Sequence, residues 1–353
     1  MTKLENYSRS LKVLYKKLLI FIILTGIFIP NYAVAQVTKT GTTAAKFLSI
    51  GEGPRALAMG GAYSSLANDA AAIYWNPAGI ANTNQFQAMF ANTALFAGIT
   101  LNYFGLILPA GDVGNFGISA TAINYGSMEV TTETQQDGTG EFFSPADYAF
   151  GLTYARPITV DFVVGATVKL ITQNIYHSNA TGVGFDIGTI FTTPFYGVRF
   201  ASSITNFGTK MQMSGNDLMI RYNVDASRAG SNNTVDANIA TDPFDLPLRL
   251  QFGVSRDFVF MENQRFTFAI DGIVPNDNNE SVNVGGELAL FDEMISLRAG
   301  YKSLFLVDSQ EGLTLGVGFK YKRAGFIDIG IDYSYQKFKY LDNVNSFGIT
   351  IKF

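Results

Sequence analysis

The side chains able to do chemistry in this 353-residue chain are few: one histidine and no cysteine. His177 lies in "NIYHSNATG" with Ser178 beside it. A serine acts as a nucleophile when a base meets its hydroxyl across the fold and a third group orients that base, which adjacency in sequence does not supply. A lone imidazole with no thiol leaves no ligand set for a transition metal. "PNDNNES" (Pro275 to Ser281) offers oxygen ligands of the kind calcium takes. It lacks the glycine and the spaced terminal glutamate of a calcium loop, and its Pro/Asn/Asp content reads as a hairpin turn. The expectation is a protein that is not an enzyme and holds no metal and no cofactor. The stretch from Phe207 to Pro247 is too long for a simple link. Met211, Met213, Met219 and Ile220 give it an adaptable contact surface, and its Ser/Asn/Asp-rich second half reads as disorder.

Composition turns attention to how such a chain is placed. Lys3, Arg9, Lys12, Lys16 and Lys17 precede the apolar run "LLIFIILTGIFI", and "AVA" (Ala33 to Ala35) closes it with a small-x-small pattern. Residues 1–35 therefore read as a secretory signal peptide, with the mature chain beginning at Gln36. The formal charge of the whole chain is −4, and losing this basic leader makes the remainder more acidic still. An acidic exported chain has no electrostatic footprint for nucleic acid. Aromatics reach 14% while charged residues are only 15%. Past the leader no apolar run is long enough for a helical span, so the apolar residues must sit in many short segments.

Those segments alternate. "FGITIKF" sets Phe347, Ile349, Ile351 and Phe353 against Gly348, Thr350 and Lys352, and "FIDIGIDYSY" sets Ile327, Ile329, Ile331, Tyr333 and Tyr335 against Asp328, Gly330, Asp332 and Ser334. A period of two marks strands with two different surroundings. About fourteen such segments are of the length that crosses a bilayer when tilted. A soluble sandwich shares the period, but here links alternate short and long. Short ones are Pro109 to Gly114, Arg156 to Asp161, Thr193 to Gly197, Phe291 to Met294 and Lys322 to Gly325; long ones are Ser127 to Ala146, the His177 loop and Phe207 to Pro247. That asymmetry belongs to outer-membrane barrels. The expected fold is all-β, a transmembrane antiparallel β-barrel of about 14 strands over residues 85–353, in contact with outer-membrane lipid and located in the cell outer membrane.

A barrel of that size encloses a lumen that is either a channel or plugged. Residues 36–84 show no clean alternation and have the length and position of an N-terminal hatch inside it. Within them "DAAAIYWNPAGIA" (Asp69 to Ala81) holds the only tryptophan. A short helix from about Asp69 to Tyr74, capped by Asn68 or Asp69, should end before Pro77, with Gly79 permitting a reversal toward the first strand. Arg55 is suited to a lumenal carboxylate among Asp186, Asp271, Glu287, Asp328 and Asp332, since a confined ion requires a partner. The strands' inward positions carry Lys169, Arg249, Arg298 and Lys320 besides, which reads as a polar, sealed interior rather than an oily one.

"GPRALAMGGAYSSLANDAAAIYWNPAGIA" (Gly53 to Ala81) resembles the N-terminal signature of FadL-type outer-membrane proteins, and its wording is closer to the PorV/PorQ branch of that superfamily. The resemblance implies a fourteen-stranded barrel whose hatch motif is matched by Asn76, Pro77 and Ala78, with Gly79 following. It also implies a role as an accessory of the type IX secretion system, with cargo bearing C-terminal sorting domains or the secretion machinery as partners. The alternative implied by the FadL branch is an uptake channel for long-chain fatty acids or other hydrophobic compounds. A terminal aromatic on the apolar face, Phe353, resembles the signal read by the barrel-assembly machinery.

Overall fold

The computed structural model describes residues 40–224, 227, 234–323 and 327–353; residues 1–35, expected to be a signal peptide, and part of the Lys322 to Gly325 link lie outside them. Fourteen long strands follow one another: β1 (Gln87–Ala94), β2 (Thr100–Pro109), β3 (Asn115–Asn124), β4 (Ala146–Pro157), β5 (Phe162–Ile175), β6 (Ser178–Thr192), β7 (Arg199–Gly208), β8 (Arg249–Met261), β9 (Gln264–Pro275), β10 (Ser281–Leu290), β11 (Ile295–Leu304), β12 (Glu311–Arg323), β13 (Ile327–Phe338) and β14 (Val344–Lys352). Each is antiparallel to the next, and β1 pairs with β14 as well as with β2, so the sheet closes on itself. Closure removes the unpaired edge, which a bilayer core does not tolerate.

Which face meets water decides between barrel and sandwich. Phe90 stands opposite Ile349 on one neighbour and Phe104 on the other, and all three are exposed. Phe150, Leu152, Phe252 and Phe319 are exposed in the same way, whereas the inward Gln251, Thr153, Asp271 and Glu287 are buried. Apolar outside and polar inside is the pattern of a barrel in lipid. The protein is an outer-membrane β-barrel.

At one end the described links are short: 110–114, 158–161, 193–198, 262–263 and 291–294. At the other they include the two long excursions, 125–145 and 209–248, and this end faces the outside by the topology of such barrels. The His177 loop is a correction to the sequence reading. Only Tyr176 and His177 separate β5 from β6, and Tyr176 takes φ 52°, so the two strands turn back tightly instead of through a long loop.

The lumen is filled by residues 40–84. A 3₁₀ turn (Lys46–Ser49), helix α1 (Pro54–Ala58), helix α2 (Ala72–Trp75) and a second 3₁₀ turn (Pro77–Asn82) pack against the inward strand faces. Trp75, Tyr63, Met59, Ile73 and Ile80 are among the largest fully buried side chains. The hydrophobic core therefore lies between this insert and the wall.

Candidate functional site

The N-terminal segment enters at the outer end. Thr43 Oγ1 and Lys46 Nζ both donate to Asp277 Oδ2, at 2.8 and 2.5 Å, and Ala44 N donates to Asp245 O at 2.9 Å. "PNDNNES" is thus the β9–β10 link, and its buried Asp277 receives the insert. From there the chain descends through the lumen and leaves at the inner end beside β1.

Arg55 sits on α1 and is held on several sides. Its Nε donates to Glu287 Oε2 at 2.9 Å and its Nη2 to Glu287 Oε1 at 3.1 Å, while Nη1 donates to Asn68 Oδ1 at 2.7 Å and to the Tyr63 hydroxyl at 3.1 Å. The bidentate fork fixes direction as well as charge. Glu287 also accepts from Arg298 Nε at 2.7 Å and Arg265 Nη2 at 3.1 Å, and Arg298 continues to Asp332. Asp328, named with these as a possible partner, lines the same polar cavity and joins no ion pair among the described residues. Asp271 takes a different part: its Oδ2 accepts the backbone N–H groups of Tyr63 and Ser64, at 3.0 and 2.9 Å, and Gln251 Nε2 at 2.6 Å. Asp186 pairs with Lys169 at 2.8 Å.

"DAAAIYWNPAGIA" docks on the opposite wall. Neither Asn68 nor Asp69 caps α2, whose N-cap is Ala71 without a side-chain cap: Asp69 Oδ1 accepts from Ala71 N at 3.1 Å in the turn before the helix, and the Asn68 oxygen serves Arg55. The helix spans only Ala72–Trp75 and stops at Asn76, whose backbone is extended at φ −159°. Asn76 Nδ2 donates to Ser64 O and to Thr189 O of β6, both at 3.1 Å, and its Oδ1 accepts from Ala78 N. Pro77 and Asn76 lie so close to Gly165 and Gly188 that a Cβ on either glycine would collide with them. Gly79 differs from its expected role: a Cβ there would strike Ala67 O, and close backbone approach, not chain reversal, is what requires glycine.

Glu52, which the sequence reading did not single out, is buried in the lumen beside Thr121. Burial pushes its carboxyl well above the ordinary range, opposed in part by the Thr121 hydrogen bond. Burial likewise raises the Tyr63 hydroxyl, opposed by the neighbouring Arg55 guanidinium.

The interior is divided, whereas the inward strand positions alone read as polar and sealed. The inner half is the ion-paired region around Arg55 and Glu287, with a small cavity of about 110 Å³. The outer half holds a larger cavity of about 510 Å³ between the insert and the upper strands, lined by Phe47, Ile50, Leu57, Phe96, Ile99 and Phe338 among others. These residues come from the insert, the β1–β2 link and strand ends. Inward alternation along the strands does not display them. The base of the long excursion closes over this region: Met211 and Leu246 are buried with Phe47 and Ile171, whereas Met219 and Ile220 lie exposed on a hairpin pairing 219–223 with 234–238.

His177 and Ser178 meet Asp217 of that excursion. His177 Nδ1 lies 3.0 Å from Asp217 Oδ1, and Ser178 Oγ donates to Asp217 Oδ2 at 3.2 Å. The hydroxyl therefore faces the carboxylate and not the imidazole, so the trio ties a loop to a hairpin. Phe353 is 58% exposed; its N–H donates to Phe86 O at 3.0 Å and its ring centroid lies 4.3 Å from that of Phe86.

No protein-family model matches this sequence, and no curated protein matches it. Solved structures do. The toluene transporter TodX of Pseudomonas putida superimposes with a TM-score of 0.55 at 14% identity, over 86% of this chain and 97% of that one. The toluene transporter TbuX of Ralstonia pickettii gives 0.54 at 11%, over 86% and 98%. The CymD monoaromatic hydrocarbon channel gives 0.52 at 12%, over 86% and 96%. At these identities the likeness is one of fold, a closed antiparallel outer-membrane β-barrel.

Proposed function

We propose that this barrel is an uptake channel for small hydrophobic compounds, with residues 36–84 as its hatch. The outer cavity of about 510 Å³ carries the reading. Its accessible surface is mostly apolar, and charged groups including Lys46, Arg249, Asp277, Lys302 and Glu311 also line it, a combination that suits a small-molecule site. It sits on the outward side of the filled lumen, where a compound arriving from outside would be captured. The ion-paired inner half fits the same role, because a hatch fastened by Arg55 and Asn76 keeps ions and polar solutes out between transport events. TodX, TbuX and CymD are transporters or channels for toluene and other monoaromatic hydrocarbons, which supports transport of the same broad kind. The type IX secretion role rests on the wording of Gly53 to Ala81 and on the sealed inner lumen alone, and the fold comparisons add nothing to it.

Deletion of the protein, with complementation by wild type or by Ile50→Arg, separates the two roles. Uptake of a hydrophobic compound across the outer membrane should fall on deletion, return with wild type and stay low with Ile50→Arg, which places a charge in the cavity. Unchanged uptake, with loss of secreted proteins bearing C-terminal sorting domains, would overturn the channel and favour the secretion role.

A further inference from the structure

Arg256 lies on the outer wall of the barrel, toward its inner end. It shares the side of β8 taken by Phe252, Val254 and Phe258, which are exposed and face lipid, and it follows Ser255, the last residue of β8 to pair with β7. Past that point the neighbour is the short inner link 193–198, so Arg256 stands at the level of the inner-leaflet headgroups. Two rings hold it there: its guanidinium carbon lies 4.7 Å from the ring centre of Tyr196 and 4.6 Å from that of Phe258. Its Nε is buried with no partner, and no carboxylate among the described residues forms an ion pair with it. The adjacent Asp257 points into the lumen instead, where Arg199 and Arg265 take it. A snorkelling arginine extends its head into water, whereas this one is kept against the wall by cation–π contacts that leave its donors unused.

The wall beside it is hollow. In register across the strands, Arg256 stands opposite Phe268 of β9, Phe268 opposite Gly286 of β10, and Gly286 opposite Ala299 of β11. These small residues floor a depression of about 530 Å³ in the lipid-facing surface, edged by Phe266, Phe268, Leu288 and Leu297. Gly286 keeps it open, since a Cβ there would come within 3.3 Å of the Phe266 ring. Neighbouring strands are about 4.8 Å apart, so the hollow begins about 10 Å from Arg256, a gap that the arginine side chain and a glycerol unit bridge together. The planar fork of free donors matches the oxygens of a phosphodiester. We propose that β8–β11 carry a binding site for one phospholipid of the inner leaflet, its phosphate on Arg256 and one acyl chain in the hollow over Gly286 and Ala299. The site is independent of what passes through the lumen.

The test is native mass spectrometry of the purified, detergent-solubilised full barrel, titrated with palmitoyl-oleoyl phosphatidylglycerol and with the diacylglycerol of the same chains. Wild type should carry one phosphatidylglycerol at half-occupancy at about tenfold lower concentration than the diacylglycerol, as a charge-assisted contact to phosphate implies. In Arg256→Gln that ratio should fall to near one, and in Arg256→Lys, which keeps the charge but not the fork, it should be intermediate. Ala299→Phe, which fills the hollow, should weaken both lipids and leave their ratio unchanged. Heat-modifiable electrophoretic mobility of each variant verifies that the barrel is folded. A wild-type ratio near one, or the wild-type ratio retained in folded Arg256→Gln, overturns the phosphate contact; undiminished binding of both lipids to Ala299→Phe overturns the acyl-chain site. A dimer of the barrel that Ala299→Phe dissociates would assign the hollow to a second copy of the chain and overturn the lipid site as well.

Discussion

At the scale of residues, Glu287 is the junction of the inner lumen, because three guanidiniums converge on one buried carboxylate. Removing the carboxylate leaves buried cations facing each other; removing Arg55 leaves Glu287 still paired with Arg298 and Arg265. Glu287→Ala should therefore cost about 3–5 kcal/mol of stability, and Arg55→Ala about 1–3 kcal/mol, read from denaturant unfolding in detergent. An equal or reversed order would contradict the network. Glu52 gives a pH dependence. Its folded carboxyl is raised by burial, so its contribution is fully present at pH below the ordinary carboxylate range and is lost as pH rises through the folded value. Glu52→Gln should remove that loss, and its advantage in thermal midpoint over wild type should grow from acidic toward neutral and alkaline pH. A constant difference across that range would show that the Glu52 carboxyl is not raised in the fold. None of these partners is visible locally: Arg55 and Glu287 lie 232 positions apart. Sequence supplied the set of candidate carboxylates, and three-dimensional register chose among them.

Among the elements, the strands were the most legible because alternation has only two outcomes for each side chain, lipid or lumen. Leu152→Arg, at an exposed position in the middle of β4, should cost about 2–4 kcal/mol in refolding into bilayers, the cost of a cation on the lipid face; a neutral result would mean that this face is not in lipid. The absence of strand alternation sets residues 40–84 apart in the sequence, but the packing that seats them against the wall has no local signal. Gly165 and Gly188 look like ordinary strand glycines, yet each makes room for the Asn76–Pro77 step. Gly188→Val should unseat the motif and raise the permeability of the outer membrane to large antibiotics, as should Asn76→Ala with Pro77→Ala. Unchanged permeability in both would show that the motif is not a seal. The β5–β6 hairpin was misjudged because polar residues around His177 resemble a loop, although all of "SNATG" is strand. The proposal that Phe353 guides assembly has its own test: its deletion should lower the yield of heat-modifiable monomer in the outer membrane.

For the whole molecule, the division of the lumen is the feature with functional weight. An ion-paired inner half holds the insert of residues 40–84, and a largely apolar outer half has space for a ligand. The polar half was legible from inward strand residues such as Asp271, Glu287 and Arg298. The apolar half was not, because Phe47, Ile50, Leu57 and Phe96 come from segments that have no strand period and converge only once the barrel closes. The central claim is that this outer cavity receives hydrophobic small molecules. Crystals of the protein soaked with bromobenzene and measured at the bromine absorption edge test it directly. The expected result is an anomalous peak in the cavity between Ile50, Leu57, Phe96 and Phe338; bromine found only on the lipid-facing wall would contradict it.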